Sequence, residues 1–563
     1  MQKKILTVIC SALILTSAGC NAAGQHENTD TGSTSAADSS LTEISRDTSL
    51  VSETASTSES TDDVPTTNTS AEYEEKIFGK DVLEISITTE EANWQNLMDN
   101  AGDKPWIECD ITIDGVTFKD VGIKTKGNTS LQQLVKDESA RYSLKVNFGK
   151  YTEGQTCYGL DKLALNNIYA DSTYLKEYMS YDLMRFMQVP SSLCTFANIT
   201  VNGEHYGFFL AVEDADDSYL ERIYGSDSNV KGYKPEAMDM AGQPDRKNMP
   251  QMSEQDGNTQ RPDFPDGDSS GFPQRPDFPD GDSSGFPQRP DGGNMPQMSG
   301  QGGMPGGMDG GRNGVDLTYI DDAPESYSNI FDNHINKIEE EDQQRLIASL
   351  KNISNGEKLE ESINVDEVLR YTACNVFLVN LDSYLSSNCH NYILTELNGQ
   401  LSMLPWHYNL SFGTYQCKSA DDAVNYAIDT VFNGVSEEER PLIAKLLAKE
   451  EYREKYHQYL REIAEKYVQS GKFAETVEKV SSVINDYVKT DSTSFDGYDA
   501  YVEGIDTLKQ LMELRTQSVL GQLDGTIPST AEEQTNSDKL IDASSVDLKK
   551  LGTMNMGEGF PAR

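Results

Sequence analysis

Residues 236–313 read as chain that cannot join a packed core, and that constraint divides everything else into two folding parts. The stretch is rich in Gly, Pro and Met and repeats the fourteen residues RPDFPDGDSSGFPQ at Arg261–Gln274 and Arg275–Gln288, while Asn-Met-Pro-Gln-Met-Ser occurs at 248–253 and 294–299. Two copies do not make a solenoid, and no alternating apolar face is present to stack. The segment is expected to be a disordered insertion in a surface loop, where closure entropy grows only with the logarithm of length. Its Asp-Gly-Asp pieces lack the rest of an EF-hand loop. Two further stretches are too polar to offset the entropy of ordering them: a Ser/Thr-rich run over 20–73 and a tail over 525–563. The folding parts are therefore expected at 74–235 and 314–524.

The net charge of −45, with 36% hydrophobic residues, falls mostly on those folding parts. Such a field repels phosphate backbones and anionic headgroups, which disfavours nucleic acid as a partner and leaves membrane contact to an anchor. It also means that a nucleotide site needs local cations or a metal. The first residues offer the anchor: Lys3-Lys4, an apolar stretch from Ile5 to Leu15, then Thr16-Ser17-Ala18-Gly19-Cys20. Residues 1–19 read as a signal peptide. The ending resembles a bacterial lipobox, which implies lipidation of Cys20, an extracytoplasmic location and a tether over 20–73. No later segment has the apolar length of a membrane-spanning helix. Cys109, Cys157, Cys194, Cys374, Cys389 and Cys417 contain no CxxC pair, so a structural zinc site is not expected; free buried thiols and one or two disulfides are both compatible with their spacing.

The first part reads as β-rich with one helix. Cys109–Lys126 alternates around Asp114-Gly115, and Asn198–Val201 with Tyr206–Glu213 flanks Asn202-Gly203, both hairpin signals. Tyr142–Phe148 is a further strand. Tyr174–Met187 has helical apolar spacing, with Asp171 or Ser172 before it as cap. In the second part Val365–Leu378 is a predicted helix, and Asn391–Leu397 pairs with Gln400–Leu404 across Asn398-Gly399. Residues 436–520 read as helices. The fold class is α+β, a β-rich half followed by a mainly helical half.

No Walker loop, GxSxG, HExxH or Rossmann fingerprint occurs, and six histidines make a multi-His metal centre improbable. Polar clusters do recur at the ends of predicted strands. In order they are VGIKTKGNTS (121–130), SLKVNF (143–148), VNGEHYGFFLAVED (201–214), LDSYLSSNCHNYILTE (381–396) and LPWHYNLSFG (404–413). Taken together and in this order, they resemble the CotH kinase family over roughly Tyr73 to Leu520. The resemblance implies an atypical, two-lobed protein-kinase-like fold that binds ATP with Mg or Mn and phosphorylates serines of an exported or coat-like protein. It implies Lys145 on the α/β phosphates, Glu177 as its ion-pair partner, and Gly127, Asn128 and Ser130 as a turn over the phosphates. Glu213 would stand where a hinge meets adenine, Asp382 would orient the substrate hydroxyl, and Asn391 would help hold a metal. One departure stands out: where the family reads W-D-x-D, this chain reads Trp406-His407-Tyr408-Asn409. His407 and Asn409 replace two anionic ligands, and a neutral imidazole suits Mn²⁺ or Zn²⁺ better than Mg²⁺. Three readings follow: a surface-anchored kinase with weakened transfer, a pseudokinase-like binding module on a lipid anchor, and an adhesin that binds through its Pro/Gly/Met segment.

Overall fold

Three Asx-Gly pairs set three tight turns, each with both residues at positive φ: Asp114 and Gly115 (46° and 84°), Asn202 and Gly203 (50° and 87°), Asn398 and Gly399 (54° and 93°). Such turns match the twist of the strands they join. The computed structural model describes residues 71–236, 314–552 and 554. The expected leader, Cys20, the Ser/Thr-rich run to residue 70 and residues 237–313 lie outside the described residues.

The first two turns belong to a seven-stranded closed barrel of β1 (Val82–Thr88), β2 (Ile107–Ile113), β3 (Val116–Thr125), β4 (Leu144–Asn147), β5 (Lys162–Asn166), β6 (Cys194–Val201) and β7 (Glu204–Glu213). The strand order is β1-β2-β3-β4-β5-β7-β6, and β1 closes it by pairing parallel to β6, from Val82 opposite Phe196 to Ile87 opposite Val201. Alternation sends Ile85, Ile123, Val146 and Leu163 inward to one core. It sends Ala164, Leu210 and Val212 outward, into the larger core shared with the helical half. Five helices accompany these strands rather than the one expected: α1 (Glu72–Lys76), α2 (Glu91–Asp99), α3 (Thr129–Lys136), α4 (Lys176–Phe186) and α5 (Asp217–Tyr224). The N-cap of α4 is Leu175 rather than Asp171 or Ser172, although Asp171 Oδ2 accepts Lys176 N at 2.8 Å.

Beyond α5 a three-stranded sheet in the order β10-β9-β8 joins β8 (Lys231–Tyr233), β9 (Tyr392–Leu397) and β10 (Gln400–Pro405). The rest is helical: α6 (Ser328–Phe331), α7 (Glu340–Asn355), α8 (Leu359–Ser362), α9 (Val365–Phe377), α10 (Ala420–Val424), α11 (Pro441–Leu447), α12 (Glu450–Glu462), α13 (Lys472–Thr490), α14 (Gly497–Leu523) and α15 (Ala531–Gln534). This is the mixed α and β make-up expected, with strands concentrated first and helices after. Among the described residues no helix is long and apolar enough to cross a membrane, and all six described cysteines are free thiols.

The tail differs from its expectation of disorder. Ile527, Ala543, Val546 and Leu551 are buried. Asn425 exchanges two hydrogen bonds with the backbone of Ile541, and Ala543 N donates to Asp421 Oδ1 at 2.7 Å. Scattered single apolar residues have no period to betray them in a sequence, yet each fills a place on the helical half.

Candidate functional site

The site begins with strand register. Lys124 on β3 lies directly opposite Lys145 on β4, and alternation places Lys126, one residue past β3, on the same side. Lys145 forms an ion pair with Asp214, the residue that follows β7. Burial alone would raise the Asp214 carboxyl, but Lys145, Lys234 and Lys126 overcome it and hold its pKa at about 2. Lys234, just past β8, is pushed down to about 8 by burial, with Asp214 opposing the shift. Burial also lowers Lys126. The ammoniums of Lys234 and Lys126 stand 3.9 and 5.5 Å from the centre of the Trp406 ring at the end of β10, a cation–π arrangement that favours buried charge. Three lysines thus gather around one carboxylate in a chain whose net charge is −45.

Two expected roles are corrected. Glu177 does not pair with Lys145. It lies buried on α4, accepts Asn166 Nδ2 at 2.8 Å and Tyr181 Oη at 3.1 Å, and its carboxyl is raised by burial, with Lys126 the main opposing charge. Lys126 Nζ donates to Asn166 Oδ1 at 2.5 Å, so Asn166 links the two. Glu213 is fully buried and accepts Tyr73 Oη at 2.6 Å, Leu193 N at 3.0 Å and both Arg222 Nε and Nη2, at 2.8 and 2.5 Å. That carboxylate ties α1 and α5 to the barrel and has no edge to offer an adenine. On a strand, neighbours face opposite ways: Glu213 turns to Arg222 while Asp214 turns to Lys145, so the carboxylate that meets Lys145 is one residue further on. The turn at Gly127 (φ 113°) leads into α3, with Asn128 preceding the helix and receiving Lys104 Nζ at 3.0 Å, and with Ser130 in its first turn.

α9 leads into the loop that carries Asp382, and its end anchors the loop that follows β10. Phe412 N donates to Leu378 O at 2.7 Å and Gly413 N to Val379 O at 3.2 Å, while Tyr408 Oη reaches Asn375 Oδ1 at 2.8 Å. These bonds pin residues 406–413 onto the end of the helix. Arg440, fully buried, donates to Tyr384 O and Ser386 O, both at 2.6 Å, and braces the loop that carries Asp382. Asp382 accepts Asn388 Nδ2 at 2.7 Å and Asn391 Nδ2 at 2.9 Å, and His390 Nε2 stands 2.8 Å from its Oδ1. Burial would raise this carboxyl, but His390 and Asn388 outweigh it and keep it ionised. Backbone strain concentrates here: Val379, Asn391, His407 and Phe412 all have positive φ, of 48°, 58°, 59° and 63°, where a β-branched or bulky residue is an outlier.

His407 connects the two sides. Its backbone N donates to Tyr181 Oη at 3.0 Å, the same hydroxyl that serves Glu177. Burial, Lys126, Lys234 and His390 push its imidazole down to about 3 against the pull of Asp382, so it is neutral at any physiological pH. Asp382, Asn391 and His407 therefore meet the lysine group in one place. Asn409 sits beside them with Nδ2 on Tyr169 O at 3.2 Å, and its buried Oδ1 has no hydrogen-bond partner among the described residues.

A divalent metal does not fit this donor set. Among the described residues Asp382 is the carboxylate that acts on His407, and its oxygens are engaged by Asn388, Asn391 and His390. Among the described residues no three His, Cys, Asp or Glu side chains converge, and the neighbouring Lys126 and Lys234 oppose a second cation. The expected metal roles of Asn391, His407 and Asn409 are corrected accordingly. Asn391 orients Asp382, His407 is a neutral bridge, and Asn409 offers one uncharged oxygen. Asp214, Lys126, Lys234, Asn166 and Tyr181 were missed as site residues. Asp214 and Lys126 carry a signal in strand parity; Lys234, Asn166 and Tyr181 carry none.

A family model described as CotH kinase protein matches residues 123–271 and 307–519. No curated protein matches the chain.

Proposed function

The chain belongs to the CotH kinase family, and from that premise we propose that it binds ATP in the cleft between the barrel and the helical half and transfers its terminal phosphoryl group to a serine hydroxyl. In this reading the two halves act as the lobes of an atypical kinase. The acceptor is an exported or coat-like protein, and lipidation of Cys20 holds the chain on the outer side of the cell membrane. The observation that supports the proposal is that Lys145, Lys126 and Lys234 share Asp214, while Lys126 and Lys234 share His407 with Asp382.

The chemistry follows from charge. Phosphoryl transfer asks a protein chiefly for positioning and for neutralisation of the phosphate oxygens. Lys145, partly exposed and fixed by Asp214, contacts the α/β phosphates, and Lys126 and Lys234 add charge deeper in the cleft. A unit charge 4 Å away is worth about 4 kcal/mol at an effective dielectric near 20. The turn at Gly127, Asn128 and Ser130 covers the phosphates with backbone N–H groups. Asp382, ionised and held by Asn391 and His390, accepts the hydrogen bond of the serine hydroxyl as its oxygen attacks phosphorus.

A second reading has its own support. His407 and Asn409 stand where two carboxylates are expected, which favours a pseudokinase-like module that keeps nucleotide and presents a surface to a partner. Incubating the full chain with labelled ATP and a Ser-rich protein separates the two. The kinase reading expects label on serine and a drop of about 10²-fold or more in Asp382→Asn; nucleotide binding without any transfer leaves the module.

A further inference from the structure

We propose that the phosphate site of this chain works without a divalent metal, with Lys126 and Lys234 supplying the positive charge that a carboxylate-held ion supplies elsewhere, and that its ligand is a nucleoside di- or triphosphate taken up free of metal. This rests on the nucleotide reading above and deepens it. A metal bridges phosphates by bringing charge that acidic ligands pay for in advance; remove the acids and the ion is no longer held. Here the acids are absent and the charge is present by other means. Lys234 and Lys126 lie 3.9 and 5.5 Å from the one Trp406 ring, immediately before His407 in the chain, so the loop that lost its carboxylates is the loop the ammoniums rest on. Asn409 is uncharged, so at this position the phosphates meet less repulsion than a carboxylate would bring. Asp214 is already paired with Lys145 and Glu177 is already bonded to Asn166 and Tyr181. Neither is open to serve as a ligand in place of those lost.

The same substitutions make a metal unwelcome. A divalent ion beside His407 would face two ammoniums and meet one carboxylate, Asp382, whose oxygens accept from Asn388 and Asn391 and abut His390. A polyphosphate brings the opposite charge and relieves the crowding of Lys126, Lys145 and Lys234.

The test measures the affinity of the full chain for ATP and for inorganic tripolyphosphate by titration calorimetry, once with EDTA and once with Mg²⁺. The expected result is binding of both ligands in EDTA, with Mg²⁺ giving no gain. Lys234→Met and Lys126→Met, which keep most of the apolar stem, each weaken binding about tenfold or more, the loss of one charge-assisted contact. The double variant His407→Asp, Asn409→Asp shows Mg²⁺-dependent binding that the parent lacks, which guards against reading a misfolded lysine variant as support. Binding that appears only with Mg²⁺ overturns the proposal while leaving the nucleotide reading in place. No binding under either condition overturns both.

Discussion

Of the two neighbouring carboxylates at the end of β7, only one meets Lys145. Asp214 does, and Glu213 does not, because a β-strand sends consecutive side chains to opposite faces. The Asp214 carboxyl is held at about 2, below its ordinary 3.8. A depressed carboxyl stabilises the fold above its unfolded pKa and loses that contribution as pH falls through the folded value. Asp214→Asn is therefore expected to cost about 2 kcal/mol near neutrality, and the gap between variant and parent in urea midpoints should close between about pH 4 and pH 2. A gap that persists unchanged at pH 2 would place the Asp214 contribution elsewhere. Lys234 gives the opposite trend in binding. It faces Asp214, Lys145, Lys126 and Glu236, and burial brings it down to about 8, so nucleotide affinity should fall as pH rises from 7 to 9 and the fall should vanish in Lys234→Met. Lys145 and Asp382 were legible in the sequence because they sit inside recognisable runs. Lys234 was not, since nothing in a linear chain announces that the residue after a short edge strand will face a loop some 170 positions later.

At the scale of elements, turn chemistry was the most readable level. Asp114-Gly115, Asn202-Gly203 and Asn398-Gly399 each gave the hairpin expected of them, because φ > 0 at both positions is cheap for these residue types. The parallel pairing of β1 with β6 that closes the barrel was unreadable, for it joins strands more than a hundred residues apart with no local signature. The loops of the site depend on elements in the same non-local way. Arg440 braces the Asp382 loop through the carbonyls of Tyr384 and Ser386, and Arg440→Met should cost about 3 kcal/mol, measured by urea unfolding, by leaving buried acceptors unpaired. Activity should fall with it even where the variant remains folded. The tail makes a similar contribution: ending the chain after Asp524 removes buried Ile527, Ala543, Val546 and Leu551 and exposes the face of α10 and α14 they cover. A lowered melting temperature is the expected outcome, and an unchanged one would mean that these contacts do not form in solution.

At the scale of the whole molecule, acidity sets the terms. The net charge of −45 sets 47 Lys and Arg against 92 Asp and Glu, and two groups of these cations stand out. Some hold the halves together: Arg141, on the chain leading into β4, donates to Asp491 Oδ2 at 2.7 Å, to Asn167 O at 3.1 Å and to Phe208 O at 2.6 Å, and so fastens the barrel to the link between α13 and α14. Removing one partner of such a buried pair typically costs 3–5 kcal/mol, so Arg141→Met should lose about that much. Others, Lys126, Lys145 and Lys234, gather around Asp214. A groove elsewhere, lined by Asp429, Phe432, Ser436 and Arg453, shares none of these residues and offers a rival address for a ligand. The most direct measurement is a crystal structure of the full chain with a non-hydrolysable ATP analogue. The account predicts its phosphates within hydrogen-bonding distance of the Lys145, Lys126 and Lys234 ammoniums, facing Asp382; an analogue seated in the rival groove, or with its phosphates turned away from all three lysines, would contradict it.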